Sequence, residues 1–121
     1  MDLTTPTRHV SDVTIVDISG RVVLGQETAT LRSLVSELLD HGHKKIVFNL
    51  KDVDYIDSSG LGLLTSAHTT VRNRGGALKL LNVTRNVHNI MQVTKLFTIF
   101  DVMDNEEVAV KSFRQSFAAT P

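Results

Sequence analysis

The group of side chains with the most chemical potential is Asp57-Ser58-Ser59-Gly60-Leu61-Gly62, which lies between a predicted strand and a predicted helix. The first turn of a helix carries unpaired backbone N–H groups and a partial positive charge, so it can hold an anion such as a phosphoryl group. In α/β proteins, ligands and partners meet the loops at the carboxyl ends of strands. A serine hydroxyl here, such as that of Ser58, can accept a phosphoryl group.

The same residues also have a purely structural interpretation as a helix cap. Asp and Ser are both favoured at the N-cap, so Asp57 or Ser58 can satisfy the first-turn N–H groups without a ligand, and this is the more frequent use of such residues. Gly60 and Gly62 are not needed for a cap, because glycine weakens a helix by about 0.5–1 kcal/mol relative to alanine. The two glycines therefore indicate close approach by another surface.

Enzymatic interpretations of this loop fail on the spacing of their motifs. Gly60-Leu61-Gly62 begins like a dinucleotide-binding fingerprint, but Thr65 occupies the place of the third glycine, and no lysine follows to form a Walker-type loop. A nucleophile elbow needs a glycine two residues before the serine, and no histidine is placed by the sequence to activate Ser58. A small hydrolase or nucleotide-binding enzyme is thus the weakest alternative, and we predict no catalytic residue.

The five histidines do not predict a metal site. His41 and His43 lie two residues apart near a predicted helix end, where solvated capping residues explain them better than a metal pair, and no carboxylate cluster completes the coordination. His68 lies on or beside the apolar face of a predicted helix, which favours a partly buried structural role. We predict no metal ion and no cofactor.

Hydrophobic periodicity predicts the elements that position the loop. Alternating apolar residues predict a strand over Val13–Ile18, and the short apolar run Ile46–Leu50 predicts a central strand covered on both faces. Spacings of three and four predict helices around Leu31–Leu38, ending at Gly42, and over Asp57–Val71. The remaining predicted elements are a strand at Ala77–Leu81, a short helix at Val87–Met91, a last strand at Leu96–Phe100, and a terminal helix with Val110, Phe113 and Phe117 on its inner face.

Strands that alternate with helices predict an α/β fold with a mixed, mostly parallel sheet, its first strands pairing antiparallel at one edge. A polar stretch, Lys51–Asp54, follows the predicted central strand. Met1–Thr7 and Ala118–Pro121 are the expected loose segments. Residues 1–121 are expected to form one domain, because a chain of 121 residues suffices for one core and leaves no room for a second.

Composition excludes several classes of function. Thirteen Lys and Arg balance thirteen Asp and Glu, so the net charge of zero provides no basic field to attract nucleic acid. The absence of cysteine excludes disulfides and thiolate zinc sites, and it suits a reducing compartment. No apolar stretch approaches the roughly 18 residues of a membrane span, and the first residues lack a signal-peptide core. We expect a cytoplasmic protein that binds neither nucleic acid nor a membrane.

Two parts of the sequence closely resemble the signature of STAS-domain anti-sigma factor antagonists. These are Ile46–Leu50 and, after a polar spacer, Tyr55–Leu64. Gly75-Gly76 before the strand Ala77–Leu81 and the later Val93–Phe97 are also similar to this family, so the resemblance extends over nearly the whole chain. It implies a STAS fold, a small sheet with helices packed mainly on one face.

The resemblance also implies a function. Antagonists of this family are not enzymes, and they bind an anti-sigma factor that is also a serine kinase and so release a sigma factor. The kinase supplies the ATP and magnesium. By position, Ser58 receives the phosphoryl group, Ser59 is the less favoured acceptor, and a phosphatase acting on phosphoserine resets the protein. The implied partner-binding residues are Asp57, Ser59, Gly60, Leu61, Gly62 and Glu27.

One segment departs from the family pattern and leaves an alternative open. Several antagonists carry an acidic residue after the early strand, whereas this chain has Val23 within Gly20–Gly25, and its nearest acid is Glu27. Either Glu27 takes that place from the following helix, or the domain is a STAS scaffold or transporter-associated module that assembles through the same face without phosphorylation. The neutral charge and the apolar second helix permit a homodimer without requiring one.

Overall fold

The computed structural model describes residues 3–23 and 25–118, with the side chains of all of them except 26–28, 97 and 114–118. The helices and strands of this part of the chain are β1 (Thr7–Val10), β2 (Val13–Val22), α1 (Gln26–Asp40), β3 (Lys45–Ile56), α2 (Ser58–Asn73), β4 (Ala77–Leu81), α3 (Arg85–Thr94), β5 (Val102–Met103) and α4 (Glu106–Ala118). A short 3-10 turn, Leu96–Thr98, follows α3.

The strands form one mixed sheet in the order β1-β2-β3-β4-β5. β1 pairs antiparallel with β2 at one edge, and every other neighbouring pair in this sheet is parallel. Strand β3 lies in the centre, as the apolar run Ile46–Leu50 predicts. The carboxyl ends of the parallel strands all lie at the same end of the sheet, and α2 begins there. The predicted mostly parallel α/β fold is confirmed.

The core has two parts, one on each face of the sheet. Successive side chains of a strand point to opposite faces, so Phe48 packs with α1, α2 and α3, whereas its neighbour Val47 packs with Phe113 of α4. Both Phe48 and Phe113 are almost fully buried. Three of the four described helices thus cover one face, which confirms the predicted arrangement. The predicted role of Phe117 lies outside the described side chains.

The strand predicted at Ile46–Leu50 is longer in the structure and includes the polar stretch Lys51–Asp54. Strand β3 continues to Ile56, because β2 is also long enough to pair with it. Ser19 pairs with Asp52 and Val22 pairs with Ile56, with one register shift before Ser19 and a second between Gly20 and Arg21. The site therefore begins at the end of a long two-stranded ribbon that extends beyond β4.

The predicted last strand at Leu96–Phe100 is wrong. Lys95 adopts a left-handed conformation (φ 62°) that ends α3, and a 3-10 turn follows it. Phe100 is 5% exposed and packs in the larger core, so the apolar pattern here serves burial rather than strand pairing. The strand itself comes slightly later, at Val102–Met103, where it pairs with β4.

The expected loose N-terminal segment is largely ordered. The backbones of Thr4 and Ser19 exchange two hydrogen bonds of 3.0 Å, and β1 starts at Thr7. The expectation for Met1–Thr7 is therefore wrong for residues 4–7, while Met1 and Asp2 lie outside the described residues. At the other end, residue 118 closes α4, and residues 119–121 lie outside the described part.

Candidate functional site

The candidate site is the junction between β3 and α2, where Asp57 caps the helix. Asp57 has extended backbone angles (φ −102°, ψ −177°), and its carboxylate oxygen Oδ1 accepts the backbone N–H of Gly60 at 2.7 Å. The N–H of Leu61 donates to the Asp57 carbonyl at 2.9 Å and so makes the first hydrogen bond of the helix. The capping interpretation is correct for Asp57, and Ser58 is not the cap.

Ser58 and Ser59 occupy the first two positions of α2, and both are exposed. Within the described part of the chain, no hydrogen bond engages the Ser58 hydroxyl. The backbone N–H groups of a first helical turn and their partial positive charge stabilise negative charge placed there. The Ser58 hydroxyl is therefore accessible to a second molecule, and the N-terminus of α2 tolerates an anionic group added to it.

The two glycines of the loop have different surroundings. At Gly60, a Cβ atom would overlap the carbonyl oxygen of Val22 and lie 2.8 Å from Cγ1 of Ile56, so the close approach predicted here is made by the chain itself. At Gly62, a Cβ atom would meet no heavy atom within 4 Å, and this glycine is exposed. Gly62 has no side chain and so leaves a flat surface one helical turn beyond Ser58. The packing of the fold does not require a glycine at this position.

The residues predicted to bind a partner divide into a surface group and a buried group. Ser58, Ser59 and Gly62 are exposed, whereas Gly60 is buried and Leu61 is only 2% exposed. Gly60 and Leu61 thus lie behind the exposed residues and fix the first turn of α2 against the core. Any contact with a second molecule at this junction falls on the exposed group.

Glu27 lies in the first turn of α1, which follows Gly25 (φ 150°). Its side chain is outside the described set, but the course of the backbone relates its helix to α2. The strands that precede the two helices are neighbours, with Val22 paired to Ile56, and the Asp57 N–H donates to the Val22 carbonyl at 3.3 Å. Helices α1 and α2 therefore start beside each other, at the carboxyl ends of two adjacent strands. Val23, in the connection between β2 and α1, is half-buried.

An exposed cation–aromatic pair beside the loop was not found from the sequence. The guanidinium of Arg21 lies 5.2 Å from the centre of the Tyr55 ring, and Tyr55 is 41% exposed. The two residues are register partners on β2 and β3. They are 34 positions apart in the chain, so only knowledge of the strand register could have brought them together.

Three histidines, His9, His41 and His43, make contacts within the fold. His41 Nδ1 lies 2.9 Å from the carbonyl oxygen of Glu37, and the ring of His43 lies 4.9 Å from that of His9. Among the described residues, no group of three His, Cys, Asp or Glu side chains could hold a metal ion. In the same part of the chain, no helix is long and apolar enough to cross a membrane.

His68 is half-buried on α2, as predicted. Its ring lies 5.2 Å from that of Phe100, and both ring nitrogens are shielded from solvent. Burial lowers the pKa of His68 from its ordinary value, and the positive charge of Arg72 lowers it further. The imidazole is accordingly favoured in its neutral form within the fold.

Comparison with known proteins places the whole sheet and the loop in one family. The STAS domain matches residues 4–109 of this chain. The anti-sigma F factor antagonist of Paenibacillus polymyxa is 31% identical over 108 residues, which cover 88% of this chain and 91% of that protein. The anti-sigma-B factor antagonist of Bacillus subtilis is 31% identical over 96 residues, covering 79% and 86% of the two chains. A crystal structure from Thermotoga maritima has a TM-score of 0.83 at 26% identity, and the match covers 91% of this chain and 94% of that chain.

Proposed function

The chain belongs to the STAS domain family, and we propose that it is an anti-sigma factor antagonist switched by phosphorylation of Ser58. Relatives named as antagonists match most of its length, which supports the regulatory role. The observation that carries the switch is the exposed Ser58 hydroxyl at the first position of α2, left unengaged because Asp57 makes the cap.

The proposed partner is an anti-sigma factor that is also a serine kinase. The unmodified antagonist binds this kinase, and the sigma factor is then released to RNA polymerase. Because RNA polymerase works in the cytoplasm, this function requires the antagonist to be cytoplasmic. The kinase holds ATP and magnesium, so the antagonist supplies only the acceptor. Ser58 Oγ forms a bond to the γ-phosphorus of ATP while the bond from that phosphorus to the β,γ-bridging oxygen breaks, so that ADP leaves and the hydroxyl proton passes to a base of the kinase. A phosphatase later transfers the phosphoryl group to water and restores the hydroxyl.

Electrostatics explains why the modified form would dissociate while staying folded. A phosphoserine adds about −1.5 to −2 charges at neutral pH. The N-terminus of α2 tolerates this charge within the antagonist. A partner surface packed against Ser58 has to accommodate the same charge next to the Asp57 carboxylate, which is itself held by Gly60. A change of about 1–3 kcal/mol in affinity, equivalent to about five- to 150-fold, is sufficient for a switch.

The proposed partner surface centres on the exposed residues of the junction. Ser58, Ser59 and Gly62 form its middle, and the start of α1 with Glu27 borders it on the β2 side. The flat surface at Gly62 suits close approach by the backbone or side chains of a second protein. In this proposal Glu27 provides the acidic group that the connection after β2 lacks.

Binding of the kinase by charge variants tests the proposal. We expect Ser58→Asp to weaken binding of the serine-kinase anti-sigma factor encoded in the same genome by about five- to 150-fold in calorimetry, and Ser58→Ala to retain it. Ser66→Asp is the matched control, because Ser66 is exposed on the same helix two turns further on. Equal affinity of the wild type and Ser58→Asp would refute the switch.

A second candidate function is a STAS scaffold that assembles through the same surface without phosphorylation. The sequence feature that favours it is the segment Gly20–Gly25, which carries no acidic residue and in which Val23 is half-buried. A scaffold would bind its partner whether or not Ser58 can be modified. The phosphorylation state of the protein in its own cells distinguishes the two functions.

A further inference from the structure

The ribbon formed by β2 and β3 has a register shift close to its carboxyl end. Gly20 pairs with Val53. The next residue of β2, Arg21, pairs with Tyr55, so the register passes over Asp54. Without this shift Arg21 would lie opposite Asp54, and a cross-strand ion pair could neutralise its charge. Irregularities of this kind re-aim side chains, and here the shift places an aromatic ring opposite the cation.

The guanidinium of Arg21 is held on one side and has no anionic partner in the described part of the chain. Its central carbon lies 5.2 Å from the centre of the Tyr55 ring. Stacking occupies one face of the planar guanidinium and leaves its N–H groups, which point outwards in the plane, free to donate. Among the described residues, no hydrogen bond or ion pair engages this side chain, although Asp52 and Asp54 are exposed on the same ribbon.

The packing of the fold does not cover this pair. Ile56, next to Tyr55, is 2% exposed in the larger core, and successive strand residues point to opposite faces. Arg21 and Tyr55 therefore lie on the other face of the ribbon. The core under α4, on that face, includes β2 and β3 only as far as Ile15 and Val47. Arg21 is exposed and Tyr55 is 41% exposed, so the pair forms a surface beyond the part of the sheet that α4 covers.

This surface adjoins the proposed partner surface at the start of α2. Tyr55 precedes Ser58 by three residues, so their Cα atoms are at most roughly 11 Å apart. The Asp57 N–H donates to the carbonyl of Val22 at 3.3 Å, which joins the two strand ends beside the loop. Specific protein interfaces bury about 800 Å² on each partner, which corresponds to a patch roughly 30 Å across. A protein that docks on Ser58 therefore also extends to the pair.

We propose that Arg21 and Tyr55 determine which anti-sigma factor this antagonist binds, because Arg21 pairs with a carboxylate of that partner. The inference rests on the proposed function, since it needs a protein that docks at Ser58. The anionic side chains of a protein surface are those of Asp and Glu, and the planar fork of arginine matches a carboxylate with two parallel hydrogen bonds.

The two residues have different roles in this contact. Tyr55 orients the guanidinium and adds apolar contact area, and tyrosine and arginine are among the residues that contribute most to binding at interfaces. Arg21 supplies the selectivity, because a partner with a basic residue at the same point is repelled. The shift that passes over Asp54 keeps this cation unpaired within the antagonist.

Calorimetry with the serine-kinase anti-sigma factor tests the contact. Arg21→Glu should weaken binding by about tenfold or more, and Tyr55→Ala should weaken it while Tyr55→Phe retains it, because the ring rather than the hydroxyl carries the stacking. Arg74→Glu is the matched control, since Arg74 is exposed at the opposite end of α2 and its replacement changes the net charge equally. Both substituted positions are exposed, and thermal unfolding checks that the variants remain folded.

Charge reversal in the partner distinguishes a direct contact from an indirect effect. Exposed Asp and Glu residues of the anti-sigma factor are replaced by lysine one at a time. We expect one replacement to weaken the wild-type antagonist and to restore the affinity of Arg21→Glu, which a misfolded variant could not show. If the wild type does not bind the anti-sigma factor, the proposed function fails and this inference fails with it. If Ser58→Asp weakens binding but Arg21→Glu binds fully, or if no replacement restores binding, this inference alone is overturned.

Discussion

At the scale of single residues, the site depends on a division of roles between Asp57 and Ser58. Both residue types are good caps, and the sequence left open which of them would serve. The extended backbone at residue 57 places the Asp57 carboxylate over the Gly60 N–H and places Ser58 inside the helix, at its exposed first position. That choice depends on where β3 ends, which the local sequence does not determine.

The two glycines of the loop should respond oppositely to alanine. Gly60→Ala should lower the free energy of unfolding by about 1–3 kcal/mol, because the new Cβ overlaps the Val22 carbonyl and crowds Ile56. Gly62→Ala should raise it by about 0.5–1 kcal/mol, because the space is open and alanine favours the helix. Urea denaturation of both variants measures the difference, and a Gly60→Ala protein as stable as the wild type would contradict the packing described here.

His68 should make stability depend on pH in the weakly acidic range. The unfolded chain takes up a proton near the ordinary pKa of 6.5, while burial lowers the pKa of the folded imidazole. The unfolded state therefore binds more protons, and stability falls as the pH drops from about 7 to about 5. His68→Leu should flatten this part of the profile in thermal unfolding, and the exposed His88→Leu should leave it unchanged. An identical slope in His68→Leu would show that another group is responsible.

At the scale of secondary structure, the elements with strong local patterns were predictable. Helix α1 ends before Gly42 (φ 83°), and Ile46–Leu50 lies in the central strand, because terminal glycines and continuous apolar runs act locally. Two stretches, Lys51–Asp54 and Leu96–Phe100, depart from their local patterns for a shared reason. In both stretches, contacts with distant parts of the chain determine the secondary structure. Pairing with β2 keeps Lys51–Asp54 in the sheet, and Phe100 is buried in the core instead of lying in a strand.

The start of α4 is held to the opposite edge of the sheet by a network centred on Arg8. Its guanidinium donates to Asp17 at 2.6 Å and to Glu106 at 2.9 Å, and Asn49 donates to the same aspartate at 2.8 Å. Hydrogen bonds from Arg8 lower the pKa of both Asp17 and Glu106. Arg8 thereby joins strands β1 and β2 to helix α4, and Asp17 adds strand β3 through Asn49.

This network should contribute acid-sensitive stability. Because both carboxyl groups have lowered pKa values in the folded state, their contribution is complete above about pH 5 and is lost as the pH falls through the folded values. Arg8→Gln should lower the melting temperature at pH 7 and reduce the further loss between about pH 5 and pH 3. Arg74→Gln, which removes an exposed pair with Asp40, is the control. An acid profile of Arg8→Gln parallel to that of the wild type would contradict the role of the network.

At the scale of the whole molecule, the family was predictable from the sequence, and the surfaces were not. The signature around Tyr55–Leu64 is contiguous, so it can be read without a structure. The Arg21–Tyr55 pair depends on how far β2 and β3 run, and this is set by contacts between distant segments.

The most direct test of the central claim is the intact mass of the protein purified from its own growing and stressed cells. We predict a fraction heavier by one phosphoryl group, which fragmentation places on Ser58 and phosphatase treatment removes. Replacement of the chromosomal copy by Ser58→Ala should eliminate that fraction. An unmodified mass under every condition, or a phosphoryl group on another residue, would contradict the account.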